Sequence, residues 1–197
     1  MVNSLILKNF TVLSSDELRL VLDWRNTERV RRMMSNPEKI SWDNHIAYIT
    51  SLSDRVDCCY YLVYVGERPI GVIDLTEIAA DGSYANPGLY TGEDSPLGTG
   101  LLLEYSVFLT IFDRFGLREA RSLVKKEQAE YSNSLVRIFN AVKIGETEDS
   151  FKMLLTDKNW SAVKSGLRTR LFRRFALNRV VWREKDGDIP EDEEAGS

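Results

Sequence analysis

Ser95-Pro96-Leu97-Gly98-Thr99-Gly100 is the stretch on which the reading of this chain turns. Upstream, Tyr84 to Tyr90 reads as a strand interrupted by Pro87-Gly88. Downstream, Leu101 to Phe115 carries apolar residues at helical spacing with no breaker. Two glycines at a strand-to-helix step let the backbone approach a bound group. They also leave the amides of the first helical turn facing outward, which makes an anion site, most often for phosphate. Helix capping is the competing reading of Gly-x-Gly taken alone, so the surrounding elements decide.

Working outward, Leu5 to Leu13 alternates as an opening strand, and Ser14-Ser15-Asp16-Glu17 reads as a helix start. Leu18, Val21, Leu22 and Trp24 follow at helical spacing. A short basic helix, Glu28 to Met34, is broken by Ser35-Asn36-Pro37, and Ser41 caps a further helix from Trp42 to Leu52. The period then changes. Cys59 to Val65 and Ile70 to Ile78 form a hairpin about Gly66-Glu67-Arg68-Pro69, and a turn at Ala80-Asp81-Gly82 leads to the strand ending near Tyr90. After the glycine-led helix come a strand (Arg118 to Lys125), a helix (Ser132 to Val142), a strand (Phe151 to Thr156) and a basic, mostly helical end from Trp160. The order is β-α-α-β-β-β-α-β-α-β.

At 197 residues and 43% hydrophobic content the chain suits one domain, residues 1–184, with a proper core. Residues 185–197 hold six acids and one lysine, a charge of −5. Since the whole chain is −4, the body before that segment is +1. The segment reads as a solvated, disordered acidic tail. No apolar run approaches a membrane span, and the N-terminus does not read as a signal peptide. Cys58 and Cys59, adjacent on a strand, cannot staple distant segments and point to a reducing cytoplasm. With His45 as the sole histidine there is no zinc constellation, no Gly-x-Ser-x-Gly elbow and no full phosphate loop.

Several strings sharpen the topology. They are Leu22-Asp23-Trp24-Arg25-Asn26, Ile40-Ser41 with His45 and Ile49, Tyr61-Leu62-Val63, Ile70-Gly71-Val72, Thr76-x-Ile78 and Gly88-Leu89-Tyr90. From about Leu20 to Gly145 the chain resembles the GNAT acetyltransferases, in particular the pseudaminic-acid-pathway branch that serves flagellin glycosylation. The resemblance implies an α/β fold whose central, mostly antiparallel sheet is splayed between its fourth and fifth strands. It also implies acetyl transfer from acetyl-CoA to the 4-amino group of a UDP-linked 4-amino-4,6-dideoxy sugar by direct attack in a ternary complex.

By that resemblance Leu89, Tyr90 and Thr91 pair with the pantetheine arm, and Leu97, Gly98, Thr99 and Gly100 offer amides to the CoA pyrophosphate. Trp24, Arg25, Asn26, Trp42, His45 and Thr76 shape the acceptor side. Ser132 and Phe139 fall at the family's helix-borne asparagine and tyrosine, the tyrosine being the usual proton donor to the departing thiolate. Phe139 has no hydroxyl, so Tyr131 or water replaces it, or turnover is lost. Ser95 stands where the family carries Gln or Arg, and Lys143-Ile144 where it carries Gly-Phe.

For the chemistry itself, His45 is the candidate base, its ordinary pKa lying near 6.5, against a reading as an acceptor contact. Glu77 is the competing carboxylate, against a solvated strand face. A backbone amide near Tyr90 serves the developing oxyanion. Arg25, Arg29, Arg31 and Arg32 crowd one segment, and only Arg25 sits in a matching string. Arg168, Arg170, Arg173, Arg174 and Arg179 form a second basic run that could pair with the tail, hold a CoA phosphate or face nucleic acid; nucleic acid is the least favoured because the only interleaved aromatics, Phe172 and Phe175, have the spacing of core packing. Two other readings stay open: transfer to another small-molecule or protein amine, and a non-catalytic acyl-CoA-binding module. A homodimer is compatible with all of them.

Overall fold

A computed structural model describes residues 2–34 and 36–191. β1 (Asn3–Asn9) is followed by α1 (Ser15–Asn26), α2 (Glu28–Arg31) and α3 (Trp42–Ser51). Ser14 and Glu17 close a capping box at α1: the Glu17 amide donates to Ser14 Oγ at 3.3 Å and the Ser14 amide to Glu17 Oε2 at 2.6 Å. Glu17 also accepts from Lys8 Nζ at 2.7 Å and from the Tyr64 hydroxyl at 2.6 Å, which pins the helix start to the sheet. Thr27 and Ser41 cap α2 and α3 by single bonds, their hydroxyls accepting from the Val30 and Asn44 amides.

The hairpin and meander follow as β2 (Cys59–Val65), β3 (Arg68–Thr76) and β4 (Tyr84–Thr91). Next come α4 (Thr99–Leu109), β5 (Glu119–Lys125), α5 (Ala129–Phe139), β6 (Val142–Glu146), β7 (Ser150–Thr156), α6 (Asp157–Phe175), β8 (Leu177–Glu184) and β9 (Gly187–Pro190). All nine strands form one sheet in the order β6-β7-β5-β4-β3-β2-β1-β8-β9. The β1·β8 and β4·β5 pairs are parallel and the rest antiparallel.

Two apolar cores lie on the two faces. One joins Ile73, Leu75 and Ala85 to α4, α5 and α6 through Leu103, Phe108, Leu135, Phe139 and Trp160. The other packs Val21, Trp24, Val30 and Ile49 of the three early helices on Leu62, Val72 and Tyr90. α4 is buried on every side from Leu102 to Leu109, which explains its unbroken apolar sequence.

Three expectations are corrected here. The basic end holds β8, which lies parallel to β1 and buries Val180, Val181 and Trp182 while Asn178, Arg179 and Arg183 face outward. Those exposed polar residues masked the strand. The helix expected to run to Val142 ends at Phe139, because Asn140 turns left-handed (φ 59°), and Val142 instead opens a strand, β6, that the sequence reading did not assign. The expected acidic tail begins as β9, paired to β8 at Val181↔Pro190, with Glu191 bonded to Arg168 Nη1 at 2.5 Å; residues 192–197 lie outside the described residues.

Candidate functional site

β4 touches β5 only at Tyr84↔Glu119 and Ala85↔Ala120, and beyond Ala85 the two strands part. The Gly92 amide bonds the Ile70 carbonyl at 2.8 Å. Antiparallel pairs alternate between bonded and non-bonded, so Tyr90 and Gly88 spend their amides and carbonyls on Val72 and Asp74. Leu89 and Thr91 therefore turn theirs into the splay. Pro87 sits in the non-bonded phase opposite Leu75, where a missing N–H costs β3 nothing. The strand runs through Pro87-Gly88 without the expected interruption.

At the mouth of the splay, Gly98 (φ 95°) leads into α4. The amides of Gly100 and Leu101 have no partner among the described residues, as the first turn of a helix dictates. Thr99 differs from expectation. Its amide and hydroxyl both donate to the Pro96 carbonyl, at 3.1 and 2.7 Å, so it braces the loop instead of serving an anion. A Cβ at Gly98 would come within 2.7 Å of Arg174 Nε, and that guanidinium donates to the Leu97 carbonyl at 3.0 and 2.6 Å. The late basic run thus contributes one residue, Arg174, which holds the loop from α6. Ser95 turns its hydroxyl inward toward the Ile70 and Gly92 carbonyls. The groove along Thr91 to Gly100 has a volume of about 620 Å³.

On the opposite face of β4 a cavity of about 300 Å³ is enclosed by Arg25, Asn36, His45, Tyr48, Tyr60, Asp74 and Tyr90, with apolar walls from Phe10, Val21 and Ile49. His45 is 6% exposed, and its Nε2 is buried without a partner. Burial, offset only partly by a bond to the Leu18 backbone, moves its pKa below the ordinary value and keeps the ring neutral. Arg25 donates Nη2 to the Asn36 carbonyl at 2.7 Å and leaves Nη1 buried and unpartnered. Two orphaned polar atoms lining one cavity are what a bound polar molecule would satisfy.

Sequence reasoning missed Asp74. It lies on β3 beside Gly88, and burial raises its pKa to about 7. Glu77, the competing carboxylate, lies on a solvated strand end as its alternative reading expected: it is exposed and accepts from Asn86 Nδ2 at 2.7 Å, away from the cavity. Thr76 shares the face of Asp74 but only approaches the Asn86 carbonyl, at 3.5 Å. Tyr90 lines the cavity with its ring; the amides available to an oxyanion belong to its neighbours Leu89 and Thr91.

The other expected acceptor residues act indirectly. Trp24 is core, its ring lying where a Cβ on Gly92 would be. Asn26 clamps the chain over the cavity, donating to the Ile40 carbonyl at 2.9 Å and accepting from its amide at 2.8 Å. Trp42 carries the Arg19 guanidinium 4.3 Å above its ring and does not line the cavity.

Ser132 and Phe139 are corrected as cofactor contacts. The Ser132 hydroxyl bonds back to the Ala129 carbonyl at 2.8 Å. Phe139 is fully buried, 4.9 Å edge-to-face from Phe108. One turn before Phe108 on the same face of α4 lies Glu104, buried and raised to about 7 by desolvation. Two turns before Phe139 on α5 lies Tyr131, whose hydroxyl is pushed up by burial and by the Glu104 charge.

The free β4 edge, the unpartnered amides at the start of α4 and the groove between them fit a thioester cofactor with a diphosphate. Fold and site define a class by architecture: the fold is that of the GNAT acetyltransferases. No protein-family model matches it. It is similar to acetyltransferase PseH of Campylobacter jejuni subsp. jejuni serotype O:23/36, at 26% identity over 167 residues covering 81% of this chain and 98% of PseH. The crystal structure of C. jejuni PseH in complex with acetyl coenzyme A superposes with a TM-score of 0.64 at 24% identity, over 77% of this chain and 98% of that one. Apo FdhC, a nucleotide-linked sugar GNAT, superposes at 0.69 with 14% identity, over 89% and 95%. The two superpositions speak for the fold.

Proposed function

We propose that the protein transfers the acetyl group of acetyl-CoA to the amine of a nucleotide-linked amino sugar, a UDP-4-amino-4,6-dideoxy sugar of the kind used in flagellin glycosylation. The observation that carries this reading is the convergence of Asp74, neutral His45 and the free Arg25 Nη1 on one cavity beside the edge of β4 that β5 leaves uncovered. The likeness to PseH, an acetyltransferase, and to FdhC, a nucleotide-linked sugar GNAT, supports the choice of acceptor, and the free thiols Cys58 and Cys59 suit a reducing cytoplasm.

The amine must be neutral to attack. Asp74, half-ionised near pH 7, is matched to accept the ammonium proton. His45 Nε2 accepts a hydrogen bond from the acceptor, and Arg25 Nη1 donates one. The Leu89 and Thr91 amides face the side on which negative charge develops, an arrangement worth roughly 2.7–4 kcal/mol where alignment is good. Holding both reactants across β4 supplies much of the remaining acceleration. Thiol release from acetyl-CoA, followed with UDP-4-amino-4,6-dideoxy sugars, tests the reading. Turnover should require both substrates; no thiol release with any such sugar at any pH would overturn it.

A further inference from the structure

Four arginines crowd residues 25–32, and three of them bond within their own segment or turn toward the acceptor cavity. Arg25 donates to the Asn36 carbonyl, Arg31 to those of Asn26 and Pro37, and Arg32 pairs with Glu28. Arg29 instead crosses to the sheet. It donates Nη1 to Thr91 Oγ1 at 3.0 Å and Nη2 to the Thr91 carbonyl at 2.6 Å. That carbonyl is the last acceptor on the β4 edge facing the splay. The root of the side chain is fixed, since α2 is capped by Thr27 and anchored by fully buried Val30, while the guanidinium is exposed and lines the same groove as Gly98, Thr99 and Gly100.

An extended ligand that pairs with this edge competes with Arg29 for the Thr91 carbonyl. A ligand with a diphosphate at the start of α4 offers the released guanidinium a charged acceptor a short swing away, and guanidinium-to-phosphate bonds are stronger than those to a neutral carbonyl. We propose that Arg29 is a gate that discriminates among thioester cofactors. It blocks the β4 edge in the free protein and yields the edge only to a ligand that repays it with a diphosphate. A pantetheine arm without the nucleotide must displace Arg29 with nothing in return. The inference rests on the splay being the cofactor site.

Calorimetric titration of the wild-type protein, R29A and R29K with CoA and with pantetheine tests it. In R29A, CoA should bind roughly ten- to a hundredfold more weakly, the usual scale for losing charged hydrogen bonds. Pantetheine should bind R29A as well as wild type or several-fold better, and R29K should recover part of the CoA affinity. CoA binding left intact in R29A, or lost in step with pantetheine binding, overturns the gate while leaving the cofactor assignment standing. Failure of the wild-type protein to bind CoA overturns both.

Discussion

Asp74 and Gly88 face each other across β3 and β4 so closely that a Cβ on Gly88 would lie 2.5 Å from both carboxylate oxygens. The glycine makes room for the carboxylate, and the carboxylate meets the cavity from there. G88A should therefore displace Asp74 and cost about as much activity as D74N, on the order of 10²–10⁴-fold. The double variant should lose little beyond D74N alone, because both changes remove one function. Steady-state thiol release on the three variants checks this.

Burial of Asp74 also sets a stability sign. Its pKa is raised from 3.8 to about 7, so the native state holds more protons than the unfolded chain between those values. Stability falls as pH rises through that window and stays lower above it. D74N should thus melt a few degrees above wild type at pH 8, with the difference closing as pH drops toward 4. A wild-type protein that melts higher than D74N at pH 8 contradicts the assignment of a desolvated carboxylate.

His45 is expected to act on acceptor binding more than on the chemical step. H45Q retains an acceptor atom near Nε2 and should keep most activity. H45F fills the volume without an acceptor and should raise KM for the amino sugar roughly tenfold, the scale of one hydrogen bond, with a smaller change in kcat. A kcat collapse in H45F with KM unchanged would assign the ring to proton transfer instead.

How far the chain could be read differs by element, and the reasons are physical. Ser14, Ser41 and the Gly66 turn are local signals that act within four residues, and the structure keeps all three. The splay also follows from local order, since a strand, a glycine-led helix and a parallel strand force a crossover. Asp74 was not legible, although Ile73 and Leu75 are fully buried and alternation alone places its side chain on the other face. Its importance depends on Gly88 lying opposite, and register is not written in either strand by itself. Phe139 failed for the converse reason: a motif position names a residue, whereas Phe108 and Trp160 decide that it is core.

We propose Glu104 and Tyr131 as the groups to test as proton donors in place of Phe139. Glu104 is raised to about 7 by burial, so it is largely protonated just below neutrality and loses its proton above it. Asp74 works in the opposite sense over the same range, so kcat/KM should peak near neutral pH. E104Q keeps the shape and removes the titration, and its alkaline limb should disappear. If Y131F rather than E104Q flattens that limb, the hydroxyl is the donor. If neither does, water carries the proton.

Acid should destabilise the protein through Glu17, at a pH well below that at which it protonates Asp74 in the cavity. Burial raises the Glu17 pKa, but bonds from Lys8, Tyr64 and Ser14 outweigh this and bring it from 4.5 to about 2. A group depressed in the native state contributes stability that is fully present above its unfolded pKa and is lost as pH falls through the native one. The window is therefore pH 4.5 down to about 2. The Lys8–Glu17 pair is about a fifth exposed, so solvent screening limits its contribution at pH 7 to about 1–2 kcal/mol. E17Q keeps a weaker cap and loses the ion pair. It should melt about 2–8 °C below wild type at pH 7, given about 2–4 °C per kcal/mol for a chain of this length. The gap should narrow as pH falls below 4.5 and close near pH 2. A gap that stays constant across that range would mean that packing at the start of α1, rather than the charge on Glu17, holds the helix to β1 and β2.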